Sequence, residues 1–168
     1  MVQSAVPRIR LAASDDAADI AQLSRHAIEQ GLAWSWTPRR VTHCLQDPAT
    51  NVIVRRDRAA LSGFSIMRYG DDEAHLLLLA VAPALRRRGV GTVLLQWLER
   101  TARVAGLRAI RLELRTANDV ARAFYRRHGF EETGQMSGYY QGLEDATRMV
   151  KPLRTAPATP SGPPRLPR

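Results

Sequence analysis

Three arginines and two glycines, placed close together, form the part of the sequence best suited to bind an anion. They belong to the arginine-glycine run, residues 86–92, which reads Arg86, Arg87, Arg88, Gly89, Val90, Gly91 and Thr92. Glycine tolerates backbone torsions and close approaches that a side chain would block. Successive N–H groups in this run can therefore point at a phosphate placed at the start of a following helix. The arginines add positive charge at the same place.

The segments on either side of the run favour such a site. Residues 76–82 are apolar without alternation, which predicts a strand covered on both faces. Pro83 lacks a backbone N–H and ends that strand, and residues 90–106 have the apolar periodicity of a helix. The alternative is an ordinary turn with solvated arginines. A nucleoside-triphosphate loop would need Lys-Ser or Lys-Thr after the second glycine, and a dinucleotide fold would need G-x-G-x-x-G; the run has neither.

The composition is that of a soluble single domain. A chain of 168 residues is long enough for one substantial core and too short for two ordinary domains. Its 45% hydrophobic and 24% charged residues are typical of globular proteins. No window approaches the roughly 18 consecutive apolar residues of a membrane span, and the first residues lack the order of a signal peptide. We therefore expect a cytoplasmic protein with no membrane partner.

The net charge, the cysteine count and the histidine spacing limit which ligands and partners the protein can bind. The formal net charge of +9 suits an anionic partner. Nucleic acid is one alternative, but no arginine-rich arm with interleaved aromatic residues supports it. Cys44 is the only cysteine, so neither an intrachain disulfide nor a cysteine metal cluster is possible. The histidines are not spaced as metal ligands are, so we expect no bound metal. We expect the histidines to lie at the surface or to pack against other residues; they are His26, His43, His75 and His128.

Hydrophobic periodicity predicts an alternation of strands and helices. Strands are expected at residues 8–12, 51–55, 61–69, 76–82, 109–115, 130–136 and 147–153. Helices are expected at residues 14–31, 37–46, 90–106 and 118–129, and a loop at 138–142. The strict alternation of residues 109–115 places Glu113 with Arg111 and Arg115 on the face opposite the apolar side chains.

The ends of the chain differ from its middle in composition. We expect residues 1–7 to be a flexible N-terminus, residues 8–154 to be one domain, and residues 155–168 to be a disordered, proline-rich basic tail. Within the domain, Trp34 and Trp36 stand between two predicted helices. Their rings either close the edge of the core or line a pocket for a substrate.

Two motifs, in this order, resemble the GNAT acyltransferase superfamily. Residues 86–91 fit the pattern R/Q-x-x-G-x-G/A, and residues 118–130 fit N-x-x-A-x-x-F/L-Y-x-x-x-G-F. Residues 112–115 (Leu-Glu-Leu-Arg), the pair at 139–140 and residues 144–149 are similar to the bacterial ribosomal-protein-alanine N-acetyltransferase branch. The similarity extends over residues 8–153.

The resemblance implies an α/β GNAT fold, a mixed, mostly antiparallel central sheet of about six or seven strands flanked by about four helices. It implies acetyl-coenzyme A as co-substrate and no metal. The pantetheine and acetyl group would meet the backbone of Leu79, Ala80 and Val81. The pyrophosphate would lie at the arginine-glycine run, and Asn118 would contact the same co-substrate.

The resemblance also implies the catalytic residues, Glu113 as proton acceptor and Tyr125 as proton donor. Both residue types suit aminolysis of a thioester. An amine with a pKa near 8 attacks only as the free base, so a nearby carboxylate can take its proton. A phenol with a pKa near 10 can protonate a departing thiolate. The alternatives are that Glu113 forms an ion pair on a solvated face and that Tyr125 only packs.

The sequence therefore predicts an acetyl-coenzyme A dependent N-acetyltransferase that works by direct transfer to a primary amine, expected to be a protein N-terminal α-amine. Two alternatives stay open: a polyamine or antibiotic acetyltransferase, and a non-catalytic module that binds acyl-coenzyme A or nucleic acid. Either a monomer or a homodimer is compatible with the sequence. The side chains expected to contact the acceptor are Trp34, Trp36, Tyr139 and Tyr140.

Overall fold

A computed structural model describes residues 8–153, so the expected flexible N-terminus and basic tail lie outside the described residues. The strands are β1 (Ile9–Leu11), β2 (Thr50–Asp57), β3 (Ala60–Tyr69), β4 (Glu73–Val81), β5 (Ala109–Arg115), β6 (Glu131–Tyr140) and β7 (Glu144–Pro152). The α-helices are α1 (Ala17–Ala27), α2 (Pro38–Gln46), α3 (Val90–Val104) and α4 (Asp119–Arg127). Short 3-10 helices occupy Ser14–Asp16 and Pro83–Leu85.

The strands form one seven-stranded sheet in the order β1-β2-β3-β4-β5-β7-β6. Every neighbouring pair is antiparallel except β4 and β5, which run parallel. Helix α3 makes the crossover between those two strands, as a parallel connection requires. The expected fold class is confirmed. None of the helices described in residues 8–153 is long and apolar enough to cross a membrane.

Each face of the sheet has its own core. On one face, α3 packs its apolar stripe over the middle strands, with Leu94, Leu98 and Ile110 fully buried. On the other face, α1 and α2 cover β2 to β4. Helix α3 comes close to the sheet at Gly63, where a Cβ atom would lie 3.1 Å from the side chains of both Val90 and Leu94. The absent side chain therefore sets how closely the helix that follows the arginine-glycine run can pack.

The expected loop at residues 138–142 is wrong for residues 138–140, because β6 extends to Tyr140 and β7 begins at Glu144. The register between these strands is irregular from Met136 to Tyr140. Gly138 has a φ of +62° there, and its N–H donates to the Asp145 carboxylate (2.8 Å). A bulge of this kind takes turn-forming residues into a strand without ending it. Residues 141–143 alone form the turn.

Candidate active site

The parallel strands β4 and β5 separate partway along their length. They pair from Glu73 to Leu76 on β4, and Leu76 lies opposite Leu112. The register between β3 and β4 shifts at the same level, which leaves Leu77 without a Cα partner on β3. Beyond this point the facing edges of the two strands are unpaired. We call the space between them the strand gap.

Leu79 and Val81 turn their backbone groups into the strand gap. The Ala82 N–H donates to the Ser62 carbonyl (2.9 Å) on β3. Because bonded and non-bonded pairs alternate along an antiparallel ladder, Leu79 and Val81 occupy the non-bonded positions opposite β3. Their N–H groups therefore face β5. The side chain of Ala80 is buried in the core beneath α1 and α2, so it anchors this part of β4 against those helices.

The arginine-glycine run ends in an uncapped helix N-terminus. Gly89 has a φ of +80° and occupies the N-cap of α3, where no side chain makes a capping hydrogen bond. The first intrahelical bond runs from the Val93 N–H to the Gly89 carbonyl (3.1 Å). The preceding helical N–H groups are thus available to an anion. A Cβ at Gly89 would meet no atom within 4 Å, so the space in front of the turn is open.

Two contacts fix the first turn of α3 against its neighbours. A Cβ at Gly91 would lie 3.3 Å from the Phe124 ring, so this glycine lets α3 and α4 pack closely. The Thr92 hydroxyl lies 3.1 Å from His128 Nε2. Both contacts join the arginine-glycine run to α4. The run is therefore held in place by the helix that carries Tyr125.

The arginines of the run lie around the turn, and Asn118 lies at the start of α4. Arg86 Nε donates to the Val81 carbonyl (3.4 Å), and Arg87 has a φ of +61°. The Asn118 side-chain oxygen caps α4 by accepting from the Ala121 N–H (3.0 Å). Its amide NH2 remains able to donate to a ligand.

Glu113 lies in β5 with its carboxylate enclosed by a histidine and two arginine side chains. Its side chain is 3% exposed. One oxygen accepts from His75 Nε2 (2.5 Å), and the other from Arg148 (3.0 Å) and Arg111 (3.2 Å). Burial by itself would raise the pKa of Glu113, but the bond from His75 and the charges of the arginines outweigh it and hold this pKa at about 2. The carboxylate is charged and does not lie on a solvated face.

Tyr125 lies in α4 among aromatic rings. It is 8% exposed, and its ring packs edge-on against Phe124 and Phe130, with centroids 5.1 and 5.3 Å away. Burial raises the pKa of Tyr125 above its usual value, and the nearby Tyr140 raises it further. The phenol therefore keeps its proton at neutral pH.

Tyr139 and Tyr140 connect these two groups electrostatically. Burial raises the pKa of both tyrosines, and the Glu113 charge raises both further. Their rings meet edge to face at 5.0 Å. Since Tyr140 in turn acts on Tyr125, the end of β6 brings the phenols and the Glu113 carboxylate into one neighbourhood.

The expected tryptophans lie on a segment held by a buried carboxylate. Glu29 accepts from the Ser35 N–H and hydroxyl (both 2.7 Å) and from the Trp36 N–H (3.1 Å). Trp36 is buried in the α1 and α2 core, with the Arg40 guanidinium 3.9 Å from its ring centroid. Trp34 is 37% exposed, so of these two rings it has the free surface that a ligand can contact.

The segment after α1 also touches the turn between β6 and β7. The Gln141 side-chain amide bonds to the N–H and the carbonyl of Ala33 (3.0 and 2.9 Å). Arg115 on β5 donates to the Ile28 carbonyl (2.7 Å) and pairs with Glu144 (3.1 Å). These contacts bridge the sheet face that carries Glu113.

Three residues of this site were not predicted from the sequence. His75 was assigned to the surface or to packing, yet it bonds directly to Glu113. Arg148 was assigned no role, nor was Glu29. The strand expected at residues 76–82 begins after His75, whereas β4 begins at Glu73 and places His75 beside Arg111 in the register. The positions of Arg148 and Glu29 depend on long-range register and loop packing, for which the sequence carries no local pattern.

Comparison with known proteins supports this description. A family model described as Acetyltransferase (GNAT) family matches residues 17–130. The [ribosomal protein bS18]-alanine N-acetyltransferase of Salmonella typhimurium is 38% identical over 96 residues, 55% of this chain and 65% of that protein. An N-alpha-acetyltransferase of Sulfurisphaera tokodaii is 35% identical over 82 residues, 48% of this chain and 49% of that protein. These matches span less than two thirds of each relative.

Solved structures share the fold over almost the whole described chain. The ribosomal-protein-S18-alanine N-acetyltransferase from Escherichia coli has a TM-score of 0.78 and 27% identity, covering 90% of this chain and 96% of that one. Ard1 from Thermoplasma volcanium has a TM-score of 0.80 and 25% identity, covering 89% and 99%. Since the family model also covers more than half of the sequence, the chain belongs to the GNAT acetyltransferase family.

Proposed function

We propose that this protein is an acetyl-coenzyme A dependent N-acetyltransferase acting on the α-amine at a protein N-terminus. The observation that supports this most is the strand gap, which has free backbone N–H groups at Leu79 and Val81, an uncapped helix at one end, and Glu113 and Tyr125 in its neighbourhood. An expected cytoplasmic location and a single domain over residues 8–154 belong to the same proposal.

The residues around the gap fit acetyl-coenzyme A. The N–H groups at the start of α3 and the arginines 86–88 would hold its pyrophosphate, where a Cβ at Gly89 would meet nothing. The β4 edge at Leu79 and Val81 would hold the pantetheine by strand-like hydrogen bonds, with Asn118 as a further donor. Acetyl-coenzyme A supplies the acetyl group as a thioester, whose acyl carbon a free amine can attack.

The side chains around the gap supply the proton transfers. An N–H from the Leu79 to Val81 edge would stabilise the charge that develops on the acyl oxygen. The Glu113 cluster, which we define as Glu113 with His75, Arg111 and Arg148, would receive the proton that leaves the amine. The Tyr125 hydroxyl would donate a proton to the departing sulfur. Burial raises the pKa of Tyr125, so the phenol still carries that proton at physiological pH.

The relatives and the surface near the gap favour a polypeptide acceptor. Of the two curated relatives described above, one is named a [ribosomal protein bS18]-alanine N-acetyltransferase and the other an N-alpha-acetyltransferase. The exposed rings of Trp34 and Tyr139 flank the contact between Ala33 and Gln141. Aromatic surfaces of this kind suit an extended peptide better than a small, highly charged amine.

Acceptor screening tests the proposal. Thiol release from acetyl-coenzyme A would be measured with peptides that begin with alanine or serine, the same peptides with a blocked N-terminus, a polyamine and an aminoglycoside. Mass spectrometry then locates the acetyl group. We expect turnover with the free peptides and none with the blocked ones. Faster turnover with the polyamine or aminoglycoside would establish a small-molecule enzyme, and no turnover with any amine would contradict acetyl transfer.

A further inference from the structure

We propose that His75 is the group that takes the proton from the attacking amine, and that Glu113 acts behind it by orienting the ring and stabilising the imidazolium. This inference rests on the proposed acetyl transfer. It assigns a catalytic role to a residue that neither of the two motifs contains. It also divides between two side chains the task that Glu113 alone was expected to perform.

Glu113 and His75 differ in how accessible their side chains are to an incoming amine. The Glu113 side chain is 3% exposed, whereas that of His75 is 22% exposed. Both Glu113 oxygens already accept hydrogen bonds, one from His75 and the other from two arginines. An incoming amine, or a water that it bonds to, therefore reaches the imidazole without displacing an existing contact.

The low basicity of the Glu113 carboxylate also favours His75 as the base. The hydrogen bond from His75 and the neighbouring arginines hold the pKa of Glu113 at about 2, whereas an α-amine has a pKa near 8. A carboxylate this acidic cannot retain a proton at neutral pH. A neutral imidazole has a free lone pair, and histidine is the side chain that most often serves as a general base.

The hydrogen bond to Glu113 also fixes the tautomer of His75. A charged carboxylate only accepts hydrogen bonds, so the contact of 2.5 Å places a proton on His75 Nε2. In the neutral ring, Nδ1 then carries the free lone pair. Orientation of a histidine base by a carboxylate on its other nitrogen is a known way to stabilise the charge that forms on proton transfer.

The surroundings of His75 are mostly cationic. Arg68 of β3 and Arg111 of β5 are its Cα partners on the two neighbouring strands. Arg148 of β7 reaches the same carboxylate, and the Tyr139 hydroxyl of β6 is influenced by that carboxylate. Arg39, Arg40 and His43 of α2 and Asp47 after it line, together with Arg68, a groove of about 410 Å³ that His75 itself does not line. Glu113 is therefore the carboxylate in direct contact with His75.

The transfer balances with these groups alone. The bond between the amine nitrogen and the acyl carbon forms, and the bond between that carbon and sulfur breaks. The nitrogen gives one proton to His75 Nδ1, directly or through one water, and the sulfur receives one proton from the Tyr125 hydroxyl. Exchange with solvent returns the proton from His75 to Tyr125. Each cycle converts one amine and one thioester into one amide and one thiol.

His75→Gln is the decisive variant, because its side-chain NH2 can still donate to Glu113 but cannot accept a proton. We expect kcat for a peptide acceptor to fall about 100-fold or more, with the KM for acetyl-coenzyme A changed less than about twofold. The acid limb of the kcat profile against pH should shift. His75→Ala should recover activity in added imidazole. His26→Gln, on the exposed surface of α1, is the matched control and should behave as the unaltered protein.

The outcomes separate this inference from the proposed function. If the unaltered protein acetylates no amine, the proposed function fails. If it acetylates peptides and His75→Gln retains kcat within about threefold, His75 is not the base. A loss in His75→Gln with an unshifted pH profile and no imidazole rescue of His75→Ala would show a purely structural role, and would also overturn the inference.

Discussion

Neutralising Glu113 should destabilise the protein in a way that depends on pH. In the folded protein the Glu113 pKa is held at about 2, against an ordinary value of 4.5. This difference corresponds to about 3 kcal/mol of stability at neutral pH. Glu113→Gln removes the charge while keeping the shape of the side chain. It leaves His75, Arg111 and Arg148 without their shared anion.

The direction of this pH dependence follows from the lowered pKa of Glu113. A carboxyl group whose pKa is depressed by folding contributes fully above its unfolded pKa, and this contribution disappears as the pH falls towards the folded pKa. The stability difference between Glu113→Gln and the unaltered protein should therefore be about 3 kcal/mol at pH 7 and smaller by about 2 kcal/mol at pH 3. At pH 7, a loss of this size lowers the Tm of a domain of this length by roughly 6–12 °C.

Urea unfolding at the two pH values measures this difference directly. Asp71→Asn is the matched control, since Asp71 is exposed and forms no ion pair within residues 8–153; it should change stability little at either pH. An equal difference for Glu113→Gln at pH 7 and pH 3 would show that the cluster does not hold a charged carboxylate. Unchanged stability at pH 7 would show the same.

Two further variants test the other parts of the site. Tyr125→Phe should lower kcat for acetyl transfer by about 100-fold while leaving the KM for acetyl-coenzyme A nearly unchanged; an unchanged kcat in steady-state assays would remove Tyr125 as the proton donor. Gly89→Ala should raise the KM for acetyl-coenzyme A at least about fivefold, because its Cβ would occupy the space proposed for the pyrophosphate, and should cost about 1 kcal/mol from its positive φ. Gly106→Ala has the same positive φ and equally open surroundings, so it should share the stability loss and keep the KM; equal KM values for both variants would contradict phosphate binding at Gly89.

The fold was predictable because its local patterns agree with its tertiary structure. The strict alternation of residues 109–115 was sufficient to predict β5, and the long apolar stripe after Gly89 was sufficient to predict α3. Gly106 and Gly129 both have a positive φ near the ends that the sequence predicted for α3 and α4. The loop expected at residues 138–142 was wrong for residues 138–140, for a physical reason. Gly138 supplies the positive φ of a bulge inside β6, and a bulge has the same local sequence as a turn.

The candidate site was predictable where its residues belong to contiguous segments. The arginine-glycine run and Asn118 each lie at a helix start, so local rules were sufficient to place them. The contacts of Glu113 come instead from three strands, and His75 and Arg148 reach it only through the pairing of β4 and β7 with β5. No local pattern in the sequence specifies that register.

The proposed mechanism requires that the thioester bind in the strand gap. A crystal structure with a bisubstrate analogue, in which coenzyme A is joined to the N-terminus of a peptide, tests this requirement most directly. We expect the pantetheine to pair with the β4 edge at Leu79 and Val81, the pyrophosphate to lie at Gly89, and the peptide nitrogen to lie within one water of His75. An analogue bound outside the strand gap, or bound within it with Tyr125 turned away from the sulfur, would contradict the proposed chemistry.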